Sequence, residues 1–227
     1  MENFDLAKIS VRELNQYLHH ELTRSPASEI EILHPNGLHN LAVGLDAPVK
    51  VNIRGHAGYF IGGMNRQAEI TVYGNVGWSV AENIMSGTVR VKGFASECAG
   101  ASGHGGTVVV DGDTSSRCGI SMKGCDIVVG GNVGHMSAFM AQAGRLVICG
   151  DAGHGLGDSL YEAVIYVHGK IHGLGADARE EPMEESDFTA VRNLLGHAGF
   201  DCDANEFKRV ASAKTMYHWD PDRTEVY

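Results

Sequence analysis

The aliphatic residues of this chain come in pairs with one position between them, and the pairs recur at a fixed interval. Val51 and Ile53, Ile70 and Val72, Val89 and Val91, Val108 and Val110, Ile127 and Val129, Leu146 and Ile148, and Ile165 and Val167 follow one another every nineteen residues, without insertion or deletion. Two residues after each pair stands a glycine: Gly55, Gly74, Gly93, Gly112, Gly131, Gly150 and Gly169. Apolar side chains at a period of two, almost all β-branched, make one face of a short strand that ends at the glycine.

A strand of about five residues cannot bury its apolar face alone, but copies stacked in register can pair each strand with its equivalent in the next unit. The pattern therefore predicts an all-β solenoid, a single-stranded right-handed parallel β-helix of about seven 19-residue rungs. At strand spacings near ~4.8 Å it would be roughly 34 Å long. Two further columns agree. Ala57, Val76, Ala95, Thr114, Val133, Ala152 and Ile171 stand two after the glycines, and Gly62, Ala81, Gly100, Gly119, Ala138, Gly157 and Ala176 stand seven after, where the chain turns inward. Hairpin sandwiches and barrels have no reason to hold one spacing across seven units.

The open ends of such a stack need covers. The chain divides into an N-terminal capping segment (1–28), the β-helix (29–178) and a C-terminal tail with a short helix (179–227). Ser10 and Glu13 read as a capping box ahead of Val11, Leu14, Leu18 and Leu22 on one helical face. Phe188, Val191, Leu194 and Leu195 suggest a second amphipathic helix stopped at Gly196. Residues 29–48 read as a degenerate first rung, with Ile32 and His34 nineteen before Val51 and Ile53. The outward residue between each aliphatic pair changes character halfway: Asn52, Thr71 and Arg90, then Val109, Val128, Val147 and Tyr166. An apolar stripe on four adjacent rungs must be covered, either by the C-terminal tail or by a partner subunit.

Charge and composition narrow the function. A formal charge of −10 with only 18 Lys and Arg disfavours nucleic acid. No run of eighteen apolar residues suggests a membrane span, and the N-terminus lacks the pattern of a signal peptide, so a cytoplasmic protein is expected. The five cysteines, Cys98, Cys118, Cys125, Cys149 and Cys202, show no zinc or cluster spacing and read as structural thiols. His135 and His154 occupy equivalent positions on adjacent rungs, but without a matching carboxylate or thiolate column they read as a polar ladder rather than a metal site. Tyr59 and Trp78 share a column that reads as structural. No nucleophile with a base, paired carboxylates or phosphate-cradling loop stands out, so no catalytic, cofactor-binding or metal residue is assigned and the chain reads as a scaffold.

The runs Gly74-Asn75-Val76-Gly77, Gly131-Asn132-Val133-Gly134 and Gly150-Asp151-Ala152-Gly153, each after a G-x-(V/I/L)-x-(V/I) strand, resemble the GXGXG domain that ends the large subunit of glutamate synthase. The likeness covers about residues 30 to 178. Such a domain also forms a separate chain in three-subunit relatives, including N-methylglutamate synthase, and in one of the subunits of formylmethanofuran dehydrogenase. The leading helix and the ending with Tyr217, His218 and Trp219 are most similar to the separate glutamate-synthase-type subunit.

The resemblance implies a division of labour, with a glutamine amidotransferase-like subunit and a synthase-like subunit with FMN and an iron–sulfur cluster as partners in a hetero-oligomer. Met1 is followed by Glu2, so the amidotransferase nucleophile is not expected here, and FMN and the cluster would belong to a partner. The expected role is a non-catalytic bridging subunit, making N-methylglutamate from methylamine and glutamate or serving a glutamine-dependent glutamate synthase-like oxidoreductase. A formylmethanofuran dehydrogenase-type scaffold and a stand-alone interaction protein are the alternatives. If the column of Gly100, Gly119 and Ala138 faced an internal tunnel, it would carry ammonia or methylamine.

Overall fold

A computed structural model describes residues 2–22 and 29–214 of the chain. The N-terminal strand β1 (Glu2–Asp5) leads into helix α1 (Val11–His20), after which β2 (Glu29–Leu33), β3 (Lys50–Arg54), β4 (Glu69–Val72), β5 (Thr88–Val91), β6 (Thr107–Val110), β7 (Lys123–Val129), β8 (Ala143–Ile148) and β9 (Val164–Val167) follow. Strand β10 (Ala178–Glu181), helix α2 (Glu185–Ala198), a 3-10 turn (Ala204–Glu206) and strand β11 (Lys208–Ser212) complete it.

The aliphatic pairs dictate the stacking. From β3 to β9 each strand runs parallel to the next with a register of nineteen residues: Val51 faces Ile70, Ile70 faces Val89, and so on to Leu146 facing Ile165. Both members of every pair are buried inside the solenoid, which has about seven turns. Isolated parallel bridges join Ala57 to Val76, Val76 to Ala95 and Ala95 to Thr114, so the column two after the glycines forms a second ladder.

The first rung corrects the sequence register. Ile30 and Ile32, not Ile32 and His34, align with Val51 and Ile53, twenty-one residues on. Of the two extra residues, one falls in the turn after β2, where His34 and Asn36 take left-handed conformations with φ of 54° and 43°, and the other between Asp46 and Lys50. His34 thereby swings out to Asp5, 2.7 Å away.

The repeated glycines serve close approach more than turning. Of the seven, only Gly55 has positive φ. A Cβ on Gly74 would lie 2.6 Å from the Gly55 carbonyl carbon, and one on Gly150 would lie 2.6 Å from that of Gly131. Backbones there stack directly, with Gly131 N–H donating to Gly112 O at 3.0 Å and Gly150 N–H to Gly131 O at 2.9 Å. The next residue adds a side-chain ladder, in which Asn132 Oδ1 accepts from Asp151 N–H at 2.7 Å and Asp151 Oδ1 from Lys170 N–H at 2.8 Å.

Turning falls to three alternate positions per rung. Five, seven and nine residues after the glycine the backbone is left-handed, as at Ser79, Ala81 and Asn83 (φ 60°, 56° and 55°). The middle position points into the packed interior, which explains its small residues. A Cβ on Gly100 would lie 2.5 Å from Ile127 Cδ1, and Ala138 is fully buried. The Gly100, Gly119 and Ala138 column therefore faces side chains of the core, which corrects the tunnel expectation.

Both ends are covered. Ser10 caps α1 through the reciprocal contact with Glu13, and Leu14, Leu18 and Leu22 are buried against the first rung. Asn15 receives the Ala42 N–H at 3.1 Å and donates to Asn40 O at 2.7 Å, while the His19 ring meets Val43 O at 2.7 Å. These side chains satisfy backbone groups that another rung would otherwise pair. Strand β1 pairs in parallel with β2 and so extends the sheet by one strand. At the far end β11 joins antiparallel to both β9 and β10, ending the parallel stack.

Candidate partner interface

Helix α2 decides which surface is free. Val191, Leu194, Leu195 and Ala198 pack with Ala204 and Phe207 on the outward residues Val109, Val128, Val147 and Tyr166, which are 0–3% exposed. The tail is the cover, and the assignment of these four residues to a partner interface is corrected. A helix of 14 residues is about 21 Å long, close to the ~19 Å from β9 to β5.

Polar contacts pin the helix at both ends. At its start the Tyr166 hydroxyl donates to Asp187 Oδ1 at 2.6 Å, and Asp187 Oδ2 accepts from the Glu184 N–H at 2.8 Å. At its end the Arg90 Nη1 donates to Ala198 O at 2.8 Å, while Nη2 lies 2.7 Å from Asp111. The helix stops at Gly199 in the left-handed region (φ 71°), three residues beyond the expected Gly196. The change from Arg90 to Val109 in the sequence is thus the edge of the helix's footprint.

A different surface stays open on the first rungs. The His39 and Tyr59 rings stack at 3.9 Å and 10°, and Tyr59 and Trp78 continue the stack at 5.6 Å and 20°. The Tyr59 N–H donates to His39 Nδ1 at 2.9 Å, which fixes the first ring. Tyr59 is 49% and Trp78 54% exposed, and Leu38 beside them is also exposed. By spacing alone the Tyr59 and Trp78 column reads as structural. Sequence spacing missed His39 because it lies twenty, not nineteen, residues before Tyr59. On the neighbouring strand face Arg54 lies 3.9 Å over the exposed Tyr73 ring and forms a two-pronged ion pair with Glu31, whose carboxyl it holds below the usual range.

The other sequence candidates are dispersed. The His154 ring has His172 at 6.1 Å, and His172 lies 3.5 Å from Asp151. Among the described residues no three His, Cys, Asp or Glu side chains are grouped to hold a metal ion, and no helix is long and apolar enough to cross a membrane. Cys118 and Cys125 lie in the core, where burial pushes both thiols up to about 12. Tyr217, His218 and Trp219 lie outside the described residues.

No family model matches the chain. It is 49% identical over 228 residues to Protein GlxC of Rhizobium meliloti (strain 1021), with the whole of both chains aligned. On that identity and coverage, the chain belongs to the GlxC family.

Proposed function

We propose that this chain is a non-catalytic bridging subunit of a flavin-dependent glutamate synthase-type complex. Its partners in this reading are a glutamine amidotransferase-like subunit and a synthase-like subunit that carries FMN and an iron–sulfur cluster. The reaction assigned to the complex is formation of N-methylglutamate from methylamine and glutamate with release of ammonia. The sister reaction, glutamate from glutamine and 2-oxoglutarate, is the outcome that the substrate test separates from it.

The observation that carries the reading is the exposed stack of His39, Tyr59 and Trp78 on a solenoid whose other large apolar stripe is already covered. Rungs joined by continuous backbone ladders form a stiff body suited to holding two neighbours at a fixed separation. Aromatic side chains supply large contact areas at little conformational cost and are enriched at interfaces. The glycine-rich repeat resembles the bridging domain of glutamate synthase, and the match to GlxC spans that protein's full length.

The test is a pull-down of the tagged full chain from its native cell extract, with mass spectrometry and a visible spectrum of the bound material. An amidotransferase-like chain and a yellow-brown flavin and iron–sulfur protein are expected, with turnover on methylamine exceeding that on ammonia. Recovery of a molybdenum or tungsten protein, or of the chain alone and colourless, would overturn the reading. Preference for glutamine and 2-oxoglutarate would keep the complex and change its product.

A further inference from the structure

Cys149 follows β8 on the outward face of the sheet, and Cys202 sits in the loop that returns from α2 to β11. Both are half-buried free thiols packed against the apolar cluster between α2 and the sheet. Cys149 stands in the outward column between Gly130, against which the Phe200 ring packs, and His168, whose Nε2 lies 2.9 Å from Glu206, so the 200–206 loop that carries Cys202 passes over it. Burial first, and then the neighbouring Cys202, hold the Cys149 thiol well above its ordinary range. Their placement differs from that of Cys118 and Cys125, which lie inside the solenoid away from α2.

The chain between the two cysteines contains the last rung, β10 and all of α2. The cover over Val109, Val128, Val147 and Tyr166 is otherwise held by side-chain packing, by Tyr166–Asp187 at one end and by Arg90 at the other. A bond between Cys149 and Cys202 would close this segment into a loop fastened to the sheet.

We infer that Cys149 and Cys202 form a redox-responsive staple that locks α2 over the apolar stripe when the thiols are oxidised. The oxidant class is a low-molecular-weight disulfide, with oxidised glutathione as the probe. One cysteine, as thiolate, attacks the glutathione disulfide, forming a mixed disulfide and releasing one glutathione thiol. The second protein sulfur, after losing its proton, displaces the other glutathione as a thiol. The protein loses two electrons and two protons, and one glutathione disulfide becomes two thiols.

The experiment compares the full wild-type chain, reduced and after prolonged incubation with oxidised glutathione, so no variant has to fold. Non-reducing peptide mapping should recover one joined peptide containing Cys149 and Cys202 within a monomer. Amide exchange across 185–198 should slow by on the order of tenfold or more in the oxidised form. Cys202→Ser should lose the joined peptide and the protection, whereas Cys98→Ser should keep both. Stable glutathione adducts on the two cysteines without the joined peptide, a cross-link between two chains, or a joined peptide with unchanged exchange across α2 would each overturn the inference.

Discussion

The Tyr166 hydroxyl donates to Asp187 Oδ1 across 2.6 Å, fastening the first turn of α2 to the last rung of the solenoid. Asp187 is 8% exposed and also accepts from Glu184 N–H, so one carboxylate both anchors the helix and completes its N-terminus. The phenol responds to its charged acceptor, and burial together with Asp187 pushes its ionisation well above the ordinary tyrosine range. Tyr166→Phe should keep the fold and cost about 1.5–3 kcal/mol, the usual value of a hydrogen bond to a charged group. Urea unfolding followed with a reporter on α2 is the measurement, and no loss would mean the bond adds nothing to helix docking.

Val128 lies under the middle of α2 and is fully buried. A lysine there would place an unpaired charge in an apolar cluster, at a cost of several kcal/mol. Val128→Lys should therefore release α2, seen as cleavage by protease within 185–198, while the parallel stack of β3 to β9 persists. If the stripe instead served a partner, the isolated chain would resist protease as wild type does.

The register of the solenoid was legible because constant circumference writes itself as a constant period. From Val51 to Val167 the aliphatic pairs lie where the spacing puts them. Legibility failed where geometry was not carried by residue type. Two of the three left-handed positions per rung hold Phe60, Ser79, Met64 or Asn83 as readily as glycine, so only the inward-facing one showed in the sequence. One extra residue in the turn through His34 and another ahead of β3 broke the period at the first rung. Whether the stripe faced a helix or a partner depended on the reach of α2, which ran past Gly196 because that glycine keeps helical backbone and the left-handed stop falls at Gly199.

Glycines of two kinds should respond oppositely to alanine. At Gly150 a Cβ would meet Gly131 backbone at 2.6 Å, and backbone in a paired ladder cannot move aside. Gly150→Ala should cost about 1–3 kcal/mol through overpacking. At Gly196, inside α2 with nothing within 4 Å, alanine meets no obstacle and narrows the unfolded ensemble. Gly196→Ala should stabilise by about 0.5–1 kcal/mol. Equal effects of the two substitutions in denaturant titrations would refute the close-stacking account.

The aromatic stack offers a separable test of partner binding. Trp78 is more than half exposed and ends the stack, so Trp78→Ser should change stability by no more than about 1.5 kcal/mol, the upper worth of a stacked pair. Recovery of the partner subunits in the pull-down should fall by about tenfold or more, as for an interface residue that anchors a contact. Normal recovery with the variant would move the interface elsewhere on the chain.

Alkaline pH should weaken the solenoid through its buried thiols. Cys118 and Cys125 are held up to about 12 by burial, above the ordinary value of 9.0, because the core disfavours the thiolate. A raised value means the neutral thiol is bound more tightly in the fold than in the unfolded chain. Their contribution is complete below about pH 9 and is lost as pH rises from there toward about 12. Within that window each thiol steepens the decline by up to about 1.4 kcal/mol per pH unit. Tyr17 titrates in the same range, raised to about 12 by burial and its bond to Glu2, so the wild-type slope alone does not identify the thiols. Cys118→Ala isolates one of them. The variant should be less stable than wild type at about pH 8, where it has lost buried contacts, and the gap should narrow at about pH 10.5, where wild type alone has a buried thiol opposing ionisation. A gap that stays constant between the two pH values, measured by urea unfolding, would show that Cys118 does not couple folding to pH.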